Sequence, residues 1–165
     1  MTFRKATAED LPKLYAAFNL IADNLNGRGI HIWDEVYPNC AFREDVQQGR
    51  LYILENDGEI ISAFALMDED GDRDSVRWEN QNASACYLYR MGMIPSYYGK
   101  GIGAYMLKEA ARITKEKGRE YLRLFVADIN PPAISFYEKN GYTPAEGILD
   151  RPELNFLLYG YEIKV

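Results

Sequence analysis

Residues 97–118 read YYGKGIGAYMLKEAARITKEKG. Glycines stand on alternate positions, Gly99, Gly101 and Gly103, and a helical pattern begins at once. Bare backbone at the mouth of a helix points to a phosphate. The first turn of a helix carries unpaired N–H groups and about half a positive charge, and glycine lets an anion approach those amides closely. The local charge agrees: from Gly99 to Arg123 there are seven Lys/Arg against three Glu, in a chain of net charge −6. The competing reading is a solvated helix face laced with i,i+4 pairs around Lys108, Glu109, Arg112 and Glu116.

Outward from this stretch the pattern is mixed. "TFRKA" alternates weakly and predicts an edge strand, and Thr7 opens "TAED", a capping box with Asp10 in the acidic place. Leu11, Leu14, Tyr15, Phe18, Leu20, Ile21 and Leu25 follow at helical spacing until "NGRG" stops them. An aromatic, irregular segment, "IHIWDEVYPN", leads to Asn39 as the expected cap of a short helix ending at Gly49. "LYILEN" and "EIISAFALMD" are strands joined by Asn56-Asp57-Gly58, a hairpin signal. A polar loop, the strand "ASACYLYRMGMI" up to Pro95, and the glycine loop come next, with a helix from about Gly103 to Lys117. "EYLRLFVAD" is a strand, and "NPPAISFYEKNG" a helix capped by Asn130. "YTPAEGI" and "NFLLYGYEIKV" complete the chain as strands. The order β, α, α, β, β, β, α, β, α, β, β predicts one mixed α/β domain over residues 1–165. The last strand either closes its own sheet or pairs across a homodimer.

Three phosphate-binding patterns compete. A Walker loop requires Gly-Lys-Ser or Gly-Lys-Thr, and neither occurs. Gly99-Lys100-Gly101-Ile102-Gly103-Ala104 satisfies the dinucleotide fingerprint, and Asp128 ends the following strand. But Ile94 to Tyr98 separate the strand from the first glycine, and Asp128 lies 29 residues past Gly99, where about 20 is expected. Too little βα alternation remains for a doubly wound sheet.

The third pattern joins both halves of the chain. "YRMGMIPSYYGKGIGAYML" resembles the acyl-CoA pyrophosphate motif of the GNAT superfamily of N-acetyltransferases: a strand, a proline, then [R/Q]-x-x-G-x-[G/A]. Gly101 and Gly103 are its two glycines. "NPPAISFYEKNGYTP" is similar to the second motif, N-x-x-A-x-x-x-Y-x-x-x-G-[F/Y], through Asn130, Ala133, Tyr137, Gly141 and Tyr142. The "WDEVYP" segment and the final strands are similar to a bacterial branch of the superfamily. The one departure is Tyr98, which stands where Arg or Gln is usual; it brings a backbone N–H but no guanidinium, and Lys100 is placed to compensate.

The resemblance implies a mostly antiparallel mixed sheet with splayed middle strands and about four flanking helices. It implies acetyl-CoA as co-substrate, with direct transfer to a primary amine in a ternary complex. Backbone groups of Met91, Gly92 and Met93 would meet the pantetheine amides and polarise the thioester carbonyl. Tyr98, Gly99, Lys100, Gly101, Ile102, Gly103 and Ala104 would wrap the pyrophosphate, and Asn130 would touch the pantetheine arm. Tyr137 would be the general acid, a phenol near pKa ~10 serving a thiolate near ~8.5; the alternative is that Phe136, Tyr137 and Tyr142 are core aromatics. Neither Cys40 nor Cys86 has a positioned base to suggest a covalent intermediate. A different class, a non-catalytic acyl-CoA-binding or interaction module on the same fold, is kept open by Tyr98 and the missing base.

Some relatives carry a basic carboxylate five residues before the Asn130 position, where this chain has Phe125. Asp128, Glu79, Glu35, Asp34 and His31 are the other candidates for the base. In "HIWDEVYP", Trp33, Glu35 and Tyr37 are candidate acceptor residues, since aromatic and acidic groups together suit a cationic amine; a loop pinned by a buried Trp33 and Tyr37 fits equally well. Asp68, Asp70, Asp72, Asp74 and Glu79 mimic calcium-loop spacing, but Arg73 replaces the required glycine, and a solvated acidic loop is expected instead of a metal site. The acidic balance argues against nucleic-acid binding. No apolar run approaches the ~20 residues of a membrane helix, "MTFRKATAED" lacks a signal-peptide core, and two distant cysteines form no metal spacing. A reduced cytoplasm is the expected compartment.

Overall fold

The structure, a computed structural model, describes all residues from Met1 to Val165. It holds seven strands, β1 (Thr2–Lys5), β2 (Leu51–Asn56), β3 (Glu59–Met67), β4 (Ala85–Met93), β5 (Tyr121–Ala127), β6 (Thr143–Pro144) and β7 (Leu158–Lys164). Four helices accompany them: α1 (Leu11–Gly27), α2 (Asn39–Gln47), α3 (Ile102–Glu116) and α4 (Pro131–Lys139). The sheet order is β1-β2-β3-β4-β5-β7-β6. β4 and β5 run parallel, whereas β1/β2, β2/β3, β5/β7 and β6/β7 are antiparallel. This is the mixed, mostly antiparallel α/β class expected from the sequence. No helix is long and apolar enough to cross a membrane. The residues group into two compact units, Met1–Leu66 with Arg90–Lys108, and Met67–Tyr89 with Glu109–Val165.

In the first unit, Asp57 and Gly58 both take left-handed backbone (φ 49° and 82°), the requirement of a tight hairpin turn. Thr7 N–H donates to Asp10 Oδ2 at 2.7 Å, so the acidic residue of "TAED" does act at the helix entrance. Phe3, Tyr52 and Phe64 stack on one face of β1–β3, with ring centroids 5.4–6.0 Å apart, and Tyr105 of α3 meets Phe3 edge-on. Phe18 of α1 packs against Phe42 of α2 at 4.7 Å. α2 departs from expectation: Pro38 is its cap and Asn39 its first helical residue. Asp34 has already fixed the preceding turn by accepting from Val36 N–H and Tyr37 N–H, both at 2.8 Å, and Asn39 instead donates to Asn19 Oδ1.

Gly92 in β4 is glycine for packing. A Cβ there would lie 2.8 Å from Phe18 Cε1 and 3.1 Å from Ile21 Cδ1. Gly92→Ala should therefore cost about 1–3 kcal/mol as α1 is pushed off the strand. Urea unfolding measures this; a midpoint equal to wild type would show that Phe18 yields freely.

In the second unit β7 pairs with β5 from Tyr121↔Lys164 to Ala127↔Leu158, and with β6 at Tyr161 and Glu162. The last strand therefore closes its own sheet. "YTPAEGI" shrinks to the two residues of β6, because Pro144 has no N–H for a ladder; Glu146 then bridges to Arg77. Arg123 of β5 is fully buried, 4.8 Å from the Trp78 ring and 5.2 Å from the Tyr121 ring, donating to Asn80 O at 2.6 Å and lying 3.5 Å from buried Glu162. The acidic loop is less solvated than its composition suggests. Asp70 is buried, Asp68 pairs with Lys117 at 2.7 Å, and Asp72 pairs with Arg151. Arg112 on α3 pairs with Glu109 and Glu116, as its helical spacing predicts.

Candidate functional site

The phosphate-cradle candidate belongs to the first unit. After β4, Pro95–Tyr97 form a 3₁₀ turn. Gly99 (φ 73°) and Gly101 (φ 78°) then take left-handed backbone, a region costly to other residues. Nothing lies within 4 Å of where a Cβ would stand on either glycine, so both open onto free space. The first α3 bond runs from Tyr105 N–H to Gly101 O at 3.1 Å. Helical geometry thus leaves Ile102, Gly103 and Ala104 N–H without intrahelical acceptors. This donor set and the open loop fit an anionic diphosphate. Tyr98 does not join it through its main chain, since its N–H is committed to Pro95 O at 3.0 Å. Its hydroxyl points to Asn24 Oδ1 at 3.4 Å. Lys100 Nζ sits 4.8 Å from the Tyr97 ring centre, held beside the loop by that contact.

Met91, Gly92 and Met93 are the half-buried end of β4. Ser62 Oγ donates to Gly92 O at 2.7 Å, fixing the strand there. Just before them, Arg90 has a left-handed backbone (φ 52°) inside a strand. Such a residue persists only when its surroundings hold it. Here Asp45 does so: Arg90 Nε donates to Asp45 Oδ2 at 2.8 Å and Nη2 to Oδ1 at 2.7 Å. Arg50 Nε adds a third bond to Asp45 Oδ1 at 2.8 Å. Nothing in the sequence pattern marks this network; only the fold brings α2, the residue before β2, and β4 together.

The acceptor-side candidates are also in the first unit. Trp33 packs on Phe18 at 5.6 Å and accepts through its carbonyl from Asn26. Glu35 is exposed and, with Asp23, Asp34, Asn19, Asn26 and Ala22, lines a cavity of about 250 Å³. Trp33 and Tyr37 do not line it. Tyr37 is 39% exposed, so the loop is not pinned by a buried Tyr37; its hydroxyl lies 3.4 Å from Arg90 Nη1. His31 Nδ1 is bonded to Asn26 Oδ1 at 2.8 Å.

Asn130 and Tyr137 belong to the second unit. Asn130 caps α4, its Oδ1 accepting from Ala133 N–H at 3.3 Å. Tyr137 is half-buried between Phe136 and Tyr142, at 5.4 and 5.8 Å. Burial pushes its phenol up to about 12, so it stays protonated through the neutral range. Phe125 stands edge-on to Trp78 at 5.6 Å and brings no polar atom. Asp128 closes a loop by accepting from Leu157 N–H at 3.0 Å. Glu79 is exposed.

Known proteins share the family pattern and the fold. Residues 14–142 match the sequence model of the Acetyltransferase (GNAT) family. Over 73 residues the chain is 37% identical to the thialysine N-epsilon-acetyltransferase of Bos taurus, covering 42% of this chain and 41% of that protein. The chain thus spans under half the length of that relative. An acetyltransferase of the GNAT family from Streptococcus agalactiae superposes with a TM-score of 0.86 at 16% identity, over 99% of this chain and 95% of the other. The paia N-acetyltransferase of Thermoplasma acidophilum, solved in complex with coenzyme A, gives 0.69 at 23% identity, over 99% and 98%. A family match spanning both motifs and most of the chain, together with this fold, makes the protein a member of the GNAT acetyltransferase family.

Proposed function

We propose that the protein is an acetyl-CoA-dependent N-acetyltransferase that acts on a cationic primary amine, small or peptide-borne, by direct transfer. The observation that carries this reading is the left-handed Gly99–Gly101 loop opening onto the unpaired N–H groups of α3. In this reading Ile102, Gly103 and Ala104 donate to the pyrophosphate, Lys100 adds positive charge, and Tyr98 contributes only its side chain. The Asn130 amide group and the Met91–Met93 backbone hold the pantetheine arm. The bound co-substrate supplies an activated acetyl thioester. Backbone donors of β4 polarise its carbonyl, and Tyr137 protonates the departing thiolate. Asp23, Asp34 and Glu35 give the cavity beside α1 a negative wall that suits a cationic acceptor.

Calorimetric titration with acetyl-CoA, beside NAD and NADP, tests the cradle. Micromolar binding of acetyl-CoA alone is expected. In Gly101→Glu, a carboxylate facing the diphosphate costs about 2 kcal/mol at a protein-surface dielectric, or about 30-fold in affinity. Acetyl-CoA bound equally well by that variant would move the phosphate site elsewhere. Thiol release with spermidine and L-lysine as amines then tests transfer. Binding without release from any amine would favour a non-catalytic acyl-CoA-binding module.

A further inference from the structure

Two consecutive tyrosines tie the glycine loop to different elements of the first unit. Tyr97 Oη accepts from Asn56 Nδ2, at the end of β2, at 3.1 Å, and its ring carries Lys100 Nζ at 4.8 Å. Tyr98 reaches the last turn of α1, where its hydroxyl donates to Asn24 Oδ1 at 3.4 Å. Arg28 stands one turn beyond Asn24. Its N–H donates to Asn24 O at 3.2 Å, so the two residues share a helix face. Burial pushes the Tyr98 phenol up, and the Arg28 charge pulls against it. Gly99, the first left-handed glycine of the loop, follows Tyr98 directly, one Cα step of about 3.8 Å away.

Arg28 is uncommitted. Arg4, Arg50 and Arg90 of the same unit are each held by a carboxylate, whereas Arg28 is exposed and forms no salt bridge. Its place also meets an electrostatic need. The C-terminal end of a helix carries about half a negative charge, so the end of α1 would repel an anion held in the loop beside it. A guanidinium at residue 28 reverses that sign, and its planar fork of N–H groups matches phosphate oxygens.

Resting on the acetyl-CoA reading, we infer that Arg28 is a co-substrate-binding residue whose guanidinium pairs with the diphosphate at the Gly99–Gly101 loop. Lys100, held on Tyr97, and Arg28, brought beside the loop by the contact of Tyr98 with α1, are then the two cations of the phosphate site. The guanidinium that position 98 lacks comes from another element of the same unit. A cation at residue 28 also relieves the end of α1 itself; that role acts on the urea midpoint and leaves acetyl-CoA affinity unchanged.

The test is calorimetric titration of the full chain with acetyl-CoA and with 3′-dephospho-acetyl-CoA. Each is run at low salt and at about 1 M salt, where the screening length falls to about 3 Å. Lys13→Ala is the charge control, since it removes one exposed cation about 22 Å away along α1. At low salt Arg28→Ala should bind both ligands about 10-fold more weakly, and Lys13→Ala should stay within twofold of wild type. The Arg28→Ala loss should shrink to within about twofold at 1 M salt. Arg28→Ala/Tyr98→Arg, which places a guanidinium directly before Gly99, should recover most of the affinity. Wild-type affinity in Arg28→Ala, an equal loss in Lys13→Ala, a loss untouched by salt, or no recovery in the double variant would overturn the assignment. A loss seen with acetyl-CoA but not with the dephospho form would place Arg28 on the 3′-phosphate and overturn the diphosphate pairing. A wild type that binds neither ligand would overturn the acetyl-CoA reading, and the role of Arg28 with it.

Discussion

Asp45→Ala should lower the unfolding free energy by about 3–5 kcal/mol, because it strips the partner from a buried ion pair. Asp45 is fully buried and takes three charge-assisted hydrogen bonds, two from Arg90 and one from Arg50. The Arg90 side chain is only 8% exposed. Without Asp45 its charge loses its bidentate partner, and its left-handed backbone loses its restraint. For a chain of this length each kcal/mol corresponds to about 2–4 °C in Tm, so the melting temperature should fall by about 6–20 °C. Asp45→Asn keeps the shape but not the charge, and should fall between. The double variant Asp45→Ala/Arg90→Gly removes the Arg90 charge and suits φ 52° at once, so it should recover much of the loss. Urea midpoints of the four proteins decide the matter. A loss under about 1 kcal/mol in Asp45→Ala would mean that solvent reaches the pair.

Tyr137→Phe should reduce kcat by about 10²–10⁴-fold while leaving acetyl-CoA affinity unchanged. Phenylalanine preserves the ring contacts with Phe136 and Tyr142, so the variant removes the hydroxyl and little else. The pH dependence sharpens the expectation. Desolvation pushes the Tyr137 phenol up to about 12, above its ordinary value of about 10. A raised folded-state pKa favours the folded protein fully below the ordinary value, and this contribution is lost as pH rises from about 10 to about 12. Throughout the assayable neutral range the phenol is therefore protonated. Its removal should lower the pH–rate profile uniformly without changing its shape. An altered acidic limb in Tyr137→Phe, or an unchanged rate, would reassign Tyr137 to the core.

The elements read most reliably from sequence are those set by local geometry. Asp57-Gly58 can turn only where the backbone tolerates positive φ, and does. Asn130, followed by two prolines, caps α4 as its spacing predicts. Gly118 and Gly141, both left-handed, end α3 and α4. Two motifs in a fixed order were enough to identify the GNAT family, because each reports a local backbone requirement: a glycine loop feeding a helix, and a capped helix with an inward phenol. Asn39 misled because its neighbours supplied the turn before it could cap.

The sequence by itself determined the order of elements, the glycine loop at the mouth of α3 and the family. The tertiary structure alone decided which polar groups are buried. Arg123 in "YLRLFV" resembles any solvent-facing strand residue until Trp78 and Tyr121 close over it. Arg90, Asp45 and Arg50 are 5 to 45 residues apart in the chain, and Asp70 and Tyr89 are 19 apart. Their partners arrive through sheet register and loop packing, not through spacing. A charge tolerates burial only when such partners are present, so the same aspartate reads as a solvated loop residue in the sequence and is a buried hydrogen-bond acceptor in the fold.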